Sequence, residues 1–170
     1  QPPCSSSASH TGFSTVRQQV VPPGIDGHIA DYRNPNMFDP ATANALLDRI
    51  GYRRGQDGYR RNPDGSSLAV PALIGTSSEA RKNAEFTKRM LDRIGVRVTF
   101  ETVTASERLK RMTSCHFGMS VMDWALDVPD GTNVMSVFYS KAIGSMNMSC
   151  FADPVFDAAF EKALVTPSGP

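Results

Sequence analysis

From Leu68 onward the chain alternates strand-like and helix-like patterns, and that alternation narrows the available folds more than any other feature. Leu68 to Ile74 is an apolar run of strand length. Ala80, Ala84, Thr87, Leu91 and Ile94 then recur at helical spacing up to a stop at Gly95. Val96 to Val103 alternates with a period of two, so that Val96, Val98 and Phe100 face one way. A short stripe of Ala105, Leu109 and Met112 and an apolar strand over Phe117 to Met122 complete the series. Strand, helix, strand, helix, strand is the grammar of an α/β fold, a sheet flanked by helices. Right-handed crossovers are expected wherever neighbouring strands run parallel.

The punctuation supports this reading. Thr76-x-x-Glu79 and Thr104-x-x-Glu107 match capping boxes at the two helix starts. Pro71 cannot donate to a ladder, which predicts that its strand lies at an edge or bulges there. Upstream, Asp39 caps a helix with Pro40 in its first turn. The stripe Ala43, Leu46, Leu47 and Ile50 follows, and Gly51 ends it. Gly58-Tyr-Arg-Arg-Asn-Pro-Asp-Gly65 reads as a short strand and a tight turn. Downstream, Asp130 caps a helix carrying Val134, Val137 and Phe138. Asp153-Pro154 repeats the Asp39-Pro40 device and opens a helix with Phe156, Ala159, Phe160 and Ala163 inward. Residues 1–36 read as irregular, with a short helix or strand across Phe13 to Val21 and a rigid turn at Val21-Pro-Pro-Gly24. The expected division is therefore an irregular segment over 1–36, an α/β body over 37–164 and a tail over 165–170.

A net charge of +1 gives no electrostatic reason to expect nucleic acid, and no apolar run approaches membrane-spanning length. The first residues do not pair a basic segment with an apolar one, so they do not read as a signal peptide. Enzyme signatures are thin: there is no phosphate loop, no Gly-x-Ser-x-Gly turn and no His-Glu-x-x-His helix. His10, His28 and His116 are too dispersed for acid–base partners. No catalytic residue, cofactor or metal site is expected. Cys4, Cys115 and Cys150 form neither a dense disulfide framework nor a zinc pattern. Cys115 and its neighbour His116 read as two semi-buried residues near a strand start, with metal or thiol chemistry as the alternative, and the cysteines leave the compartment and their own state open. Met112, Met119, Met122, Met135, Met146 and Met148 fall within the strand and helix patterns and read as core, with a soft-metal surface as the alternative.

One stretch invites a ligand. In Trp124-Ala-Leu-Asp127-Val-Pro-Asp130-Gly an aromatic side chain and two carboxylates sit where a strand gives way to a loop, the usual place for ligand contacts in α/β folds. The plainer alternative makes Trp124 a core residue and Asp127 and Asp130 turn and cap residues. Another class is an intracellular α/β enzyme holding Mg²⁺ through Asp127 and Asp130, and a third is a structural or interaction module.

Several segments, taken in order, resemble the bacterial extracytoplasmic solute-binding proteins of family 5, the dipeptide and oligopeptide class that serves ABC importers. Asp39-Pro-Ala through Asn62-Pro-Asp-Gly65 is similar to their Asp-Pro helix ending in Gly-Tyr, followed by an Asp-Gly-bounded turn. Val21-Pro-Pro-Gly24 resembles their Pro-Pro-Gly turn. Arg89-Met-Leu-Asp-Arg-Ile-Gly-Val-Arg-Val98 resembles their helix-to-strand passage, and Trp124-Ala-Leu-Asp127-Val-Pro-Asp130 their Trp-x-x-Asp segment. Asn147 and Phe151-Ala-Asp-Pro-Val-Phe-Asp157 resemble later pieces. The resemblance runs over roughly residues 20 to 164. Departures include Asp123 before the Trp, Gly131 where proline is usual, and Val134.

The resemblance implies a mixed sheet within the second lobe of a two-lobed binding protein, excised from a longer chain. It implies a peptide or other small solute as ligand, a membrane permease and the missing first lobe as partners, and a periplasmic or lipid-anchored setting. In peptide-binding members the Asp three residues after the Trp pairs with the peptide's amino terminus. Here that position is Asp127, with Trp124 as the neighbouring apolar wall. The class also contains binders of metal chelates and sugars.

Overall fold

The computed structural model describes residues 18–121 and 128–166. They fall into two compact units, one of residues 35–105 and 117–121, the other of 18–34, 106–116 and 128–166.

The first unit begins with α1 (Pro40–Arg49). Asp39 Oδ1 accepts from the Ala41 and Thr42 amides at 2.9 and 3.1 Å, which satisfies two of the donors a helix start leaves unpaired. At the other end Gly51 adopts φ +94°. Its amide donates to Asp48 O while Tyr52 N donates to Leu47 O, the paired bonds of a Schellman closure. The expected apolar stripe is only partly covered: Ala43 and Leu47 are half-buried, but Leu46 and Ile50 are exposed.

What fastens α1 is Arg60, 1 % exposed. Its Nε donates to Ile94 O at 2.7 Å, Nη1 to Asp48 Oδ1 at 2.7 Å and to Tyr52 O, and Nη2 to Asn44 Oδ1 at 2.7 Å. One guanidinium thus ties the end of α1 to the end of the next helix. Sequence pattern gave no signal for it, because an Arg in Tyr-Arg-Arg-Asn reads as solvated. The expected strand over 58–65 is reduced to isolated antiparallel bridges, Arg54 with Arg60 and Arg61 with Ser67, around the turn at Pro63 to Gly65.

β1 (Ala69–Ile74), α2 (Ser78–Arg93), β2 (Arg97–Thr102) and β3 (Met119–Ser120) form the α/β body. The strand order is β2-β1-β3 and both ladders are parallel, running Ala69↔Arg97 to Ile74↔Thr102 on one side and Ala72↔Met119, Leu73↔Ser120 on the other. Among the described residues, antiparallel pairing is confined to the isolated bridges. Ala72, Leu73, Val96 and Val98 are buried and Phe100 half-buried, in keeping with the period-two reading; Ala84 of α2 is buried, and α2 packs on β1 and β2.

The edge expectation for β1 is wrong: β1 is the central strand. Pro71 is accommodated because the β3 ladder begins one residue later, at Ala72, so the proline has a ladder partner only in β2. Gly118 lies alongside, where an added Cβ would be 2.6 Å from Pro71 O and 2.9 Å from its ring. The strand expected over Phe117 to Met122 is two residues long among those described. The α2 cap is Ser77, not Thr76: Ser77 Oγ accepts from Ala80 N at 3.1 Å, and Thr76 O is taken by Arg81. Gly95, at φ +75°, closes α2 in the same way as Gly51 closes α1.

The second unit holds an irregular 18–34 segment, α3 (Ala105–Thr113, from Ser106 on), α4 (Gly131–Met135), two single 3₁₀ turns (Ser136–Phe138, Ser140–Ala142) and α5 (Pro154–Val165). The part of Phe13 to Val21 that is described, from residue 18, is bends rather than helix or strand. Pro22 to Ile25 makes the predicted turn, with Ile25 N donating to Pro22 O and Gly24 at φ +81°. In α3, Met112 is buried but Leu109 is 49 % exposed, so the expected stripe covers less than its spacing suggests. In α5, Phe160 is buried and Phe156 half-buried, whereas Ala159 and Ala163 are exposed rather than inward. Phe138, Phe151 and Phe156 meet edge to face at 5.8–6.2 Å, a favourable aromatic geometry. Met112 is core as expected, while Met146 is exposed.

Candidate functional site

Trp124 and Asp127 lie outside the described residues; the structure describes the frame on either side of them. On one side is β3 with Val121. On the other, Asp130 N donates to Val128 O at 2.8 Å, and Asp130 Oδ1 accepts from Thr132 N at 2.8 Å. Asp130 is thus the α4 cap that its position predicted, with one carboxylate oxygen engaged by the helix backbone. Among the described residues no group of three or more His, Cys, Asp or Glu is placed to hold a metal ion.

Gly131, noted above as a departure, has a local cause. A Cβ there would lie 2.3 Å from Asp26 O, so the 22–28 loop sits on the start of α4 at a distance only glycine permits. His28 Nδ1 is 2.9 Å from Val21 O within that loop, and His116 Nδ1 is 3.1 Å from Ser114 Oγ. Both histidines serve local structure. Beside this contact is an open groove of about 520 Å³, lined by Val21, Gly27, Gly131, Met135 and the Phe156, Ala159, Phe160, Ala163 face of α5, together with Asp26, Asp130 and Lys162. The exposed alanines of α5 are groove walls. A second groove, of about 550 Å³ and in the other unit, is lined by residues 35–40, Leu46 of α1 and Met90, Leu91 and Ile94 of α2.

The segment after α4 is built around Asn147, which is fully buried. Its Nδ2 donates to Tyr139 O at 3.0 Å and Phe151 O at 2.8 Å, and its Oδ1 accepts from Ser149 Oγ at 2.9 Å. Ser140 donates through its amide and hydroxyl to Asp157, which holds that carboxyl below its ordinary value. Glu161 is likewise lowered, by Lys141 first and then by the Tyr139 hydroxyl.

Cys115 and Cys150 are joined in a disulfide, Cα–Cα 5.9 Å, and Cys115 and His116 are both exposed, which corrects the reading of those two neighbours as semi-buried. The three-residue, widely spaced count concealed the disulfide, because Cys4 made the number odd. Cys115 follows α3 at φ +60° and completes the helix end: its amide donates to Met112 O and that of His116 to Arg111 O, the pattern made by glycine in α1 and α2. Disulfides persist in oxidising, extracytoplasmic settings.

The geometry offers surface grooves and helix caps among the described residues. Among the described residues no helix is long and apolar enough to cross a membrane. The chain is similar to the "probable peptide-binding protein YejA" of Agrobacterium fabrum, 28% identical over 158 residues, 87% of this chain and 25% of YejA. This chain therefore spans about a quarter of that curated relative. Its fold is similar to the oligopeptide-binding protein AppA of Bacillus subtilis, solved with a nonapeptide (TM-score 0.67, 20% identity, 88% of this chain and 30% of AppA). It is equally similar to NikA of Brucella suis, solved with Fe(III)-EDTA (TM-score 0.67, 22% identity, 88% of this chain and 30% of NikA). These are substrate-binding proteins, not enzymes. The family described as bacterial extracellular solute-binding proteins, family 5 Middle, matches residues 8–146, and this chain belongs to it.

Proposed function

We propose that this chain is part of the substrate-binding component of an ABC importer that captures di- or oligopeptides in the periplasm for uptake. It would supply an α/β lobe over 37–164, preceded by the irregular 1–36 segment and followed by the 165–170 tail. A membrane permease and another lobe of the same longer protein complete the system. The observation that carries the peptide reading is Asp127, three residues after Trp124, in a family whose matched relatives include a peptide-binding protein and one holding a nonapeptide. An ammonium moved from water into a closed cleft needs a carboxylate partner, and Asp127 is that partner; Trp124 is the apolar wall beside it.

The test is calorimetry on the full-length protein with free and amino-acetylated peptides, in the wild type and in Asp127→Asn. Loss of one member of a buried charge pair costs about 2–5 kcal/mol, a weakening of roughly thirty-fold to several thousand-fold. Acetylation should do the same from the ligand's side. Equal affinities for free and acetylated peptides, with Asp127→Asn binding normally, would reject the anchor. NikA's Fe(III)-EDTA supports a second reading, a non-peptide solute such as a metal chelate or sugar. Under it the peptide panel is silent and a chelate or oligosaccharide panel gives heat.

A further inference from the structure

We propose that α5 and the groove along it are the seat of another helix of the same longer polypeptide, which makes α5 an interior helix of the full-length protein. The inference rests on the reading of this chain as part of a longer binding protein, and it names the surface by which the part meets the rest.

Composition and burial disagree in α5. Of its twelve residues Asp157, Glu161 and Lys162 are charged and the rest are apolar. A helix that is apolar all round belongs inside a protein. Yet Phe160 is the one buried residue of α5, while Val155, Leu164 and Val165 are 78%, 56% and 81% exposed. At the helical repeat these three point to different sides, so no single solvent-facing stripe accounts for them. Asp157 and Glu161 are taken up by Ser140, Tyr139 and Lys141 on one side of the helix. The groove follows another side, from Phe156 to Thr166, about 15 Å at the helical rise.

Whatever fills this groove has to bring its own backbone hydrogen bonds. Asp130 already caps α4 and the Thr166 hydroxyl already donates to Lys162 O, and most of the remaining lining is apolar. An extended segment laid there would bury N–H and C=O groups without partners. A helix satisfies its own backbone, and the short side chains of Ala159 and Ala163 let it approach to an interaxial distance of about 8–10 Å. Lys162 offers an ammonium to a carboxylate on the incoming helix. This chain spans 25% of YejA and 30% of AppA, so a parent of like length holds ample further sequence. A tethered segment is present at millimolar effective concentration and covers the face continuously. A permease that comes and goes would leave Val155, Leu164 and Val165 in water between encounters. A solute in the groove would leave Leu164 and Val165 uncovered, since neither lines it.

The experiment uses the full-length protein without added peptide. Hydroxyl-radical footprinting of the wild type reads Leu164 and Val165, and maleimide labelling of Ala163→Cys in a Cys4→Ser background reads the groove, both quantified by peptide mapping against the same protein unfolded in urea. Both should be slowed about a hundredfold or more, as for groups reached only through local opening. The protein should be monomeric by light scattering, with rates unchanged on dilution. Should Ala163→Cys fail to fold, footprinting of the wild type decides alone. Rates close to the unfolded ones overturn the proposal. So does protection that is lost on dilution or confined to a dimer, which assigns the face to a second copy. Protection that appears only when peptide is added overturns it as well, by assigning the groove to the solute. A protected face in a protein that binds no peptide by calorimetry leaves the docking surface intact and removes the peptide reading. Peptide binding with an open face removes the docking surface alone.

Discussion

Replacing Arg60 with alanine should be among the most damaging single changes available to the first unit. The side chain is 1 % exposed and donates to Ile94 O, Tyr52 O, Asn44 Oδ1 and Asp48 Oδ1. Truncation strands the backbone acceptors at two helix ends, each worth about 1–3 kcal/mol if left dry. Water entering the space would recover part of this, which leaves a net loss of about 3–5 kcal/mol, the range for breaking a buried charged cluster from one side. In a chain of this size that is a fall in Tm of roughly 10 °C. Arg60→Lys keeps the charge but not the fork, so it should recover less than half of the loss. Asp48 is half-exposed, and water replaces its partner readily, so Asp48→Asn should cost a small fraction of the Arg60 effect. Urea unfolding followed by hydrogen exchange at Gly95 and Val96 measures all three. An Arg60→Ala loss below about 1 kcal/mol, or an Asp48→Asn loss equal to it, would refute the assignment of the energy to the backbone acceptors.

Asn147→Ala should cost about 2–3 kcal/mol, since it orphans Tyr139 O and Phe151 O, and should raise exchange in 139–151 before the rest of its unit. Gly131→Ala puts a methyl group 2.3 Å from Asp26 O and should displace the 22–28 loop at a cost of about 1–3 kcal/mol, seen as altered His28 and Gly27 resonances; an unchanged spectrum would contradict the close contact. Stability should be flat across mid-range pH. Asp48, Asp92 and Asp157 are lowered by hydrogen bonds from Arg60, Lys88 and Ser140, so their contribution is present above the ordinary carboxylate range and is lost as pH falls through their lowered values. Lys88 and Lys141 are raised by Asp92 and Glu161, so their contribution is full below lysine's ordinary value and is lost as pH rises beyond it. Thermal melts from about pH 3 to 11 test this, and a stability maximum at either extreme would count against it.

The element order was legible because it rests on signals local to the chain: period-two alternation in β2, the Asp-Pro starts of α1 and α5, and glycines with positive φ after α1 and α2. What the sequence hid depends on partners far away in it. Arg60 reads as a surface residue until Ile94 and Asn44 are brought to it. Cys115 reads as a lone thiol until Cys150 closes on it. Leu46, Ile50, Ala159 and Ala163 sit at inward spacing, yet periodicity marks a face without saying what covers it. The Trp124–Asp127 reading rests on motif and chemistry alone, since both residues lie outside the described residues, with β3 before them in sequence and the Asp130 cap after.

The pairing of Pro71 with Gly118 carries a consequence for how this sheet can vary. β-Carbon space at 118 is closed by the carbonyl and ring of Pro71, and ladder formation by β3 starts only after that proline. Neither position can therefore drift alone. A side chain gained at 118 while Pro71 remains would push β3 away. Replacing Pro71 alone would offer a donor to a neighbour whose spacing was set by the ring. In related chains the two positions should change together, and where both have changed β3 should be found one or two residues longer. A designer wishing to lengthen β3 would thus have to alter two residues nearly fifty apart in sequence.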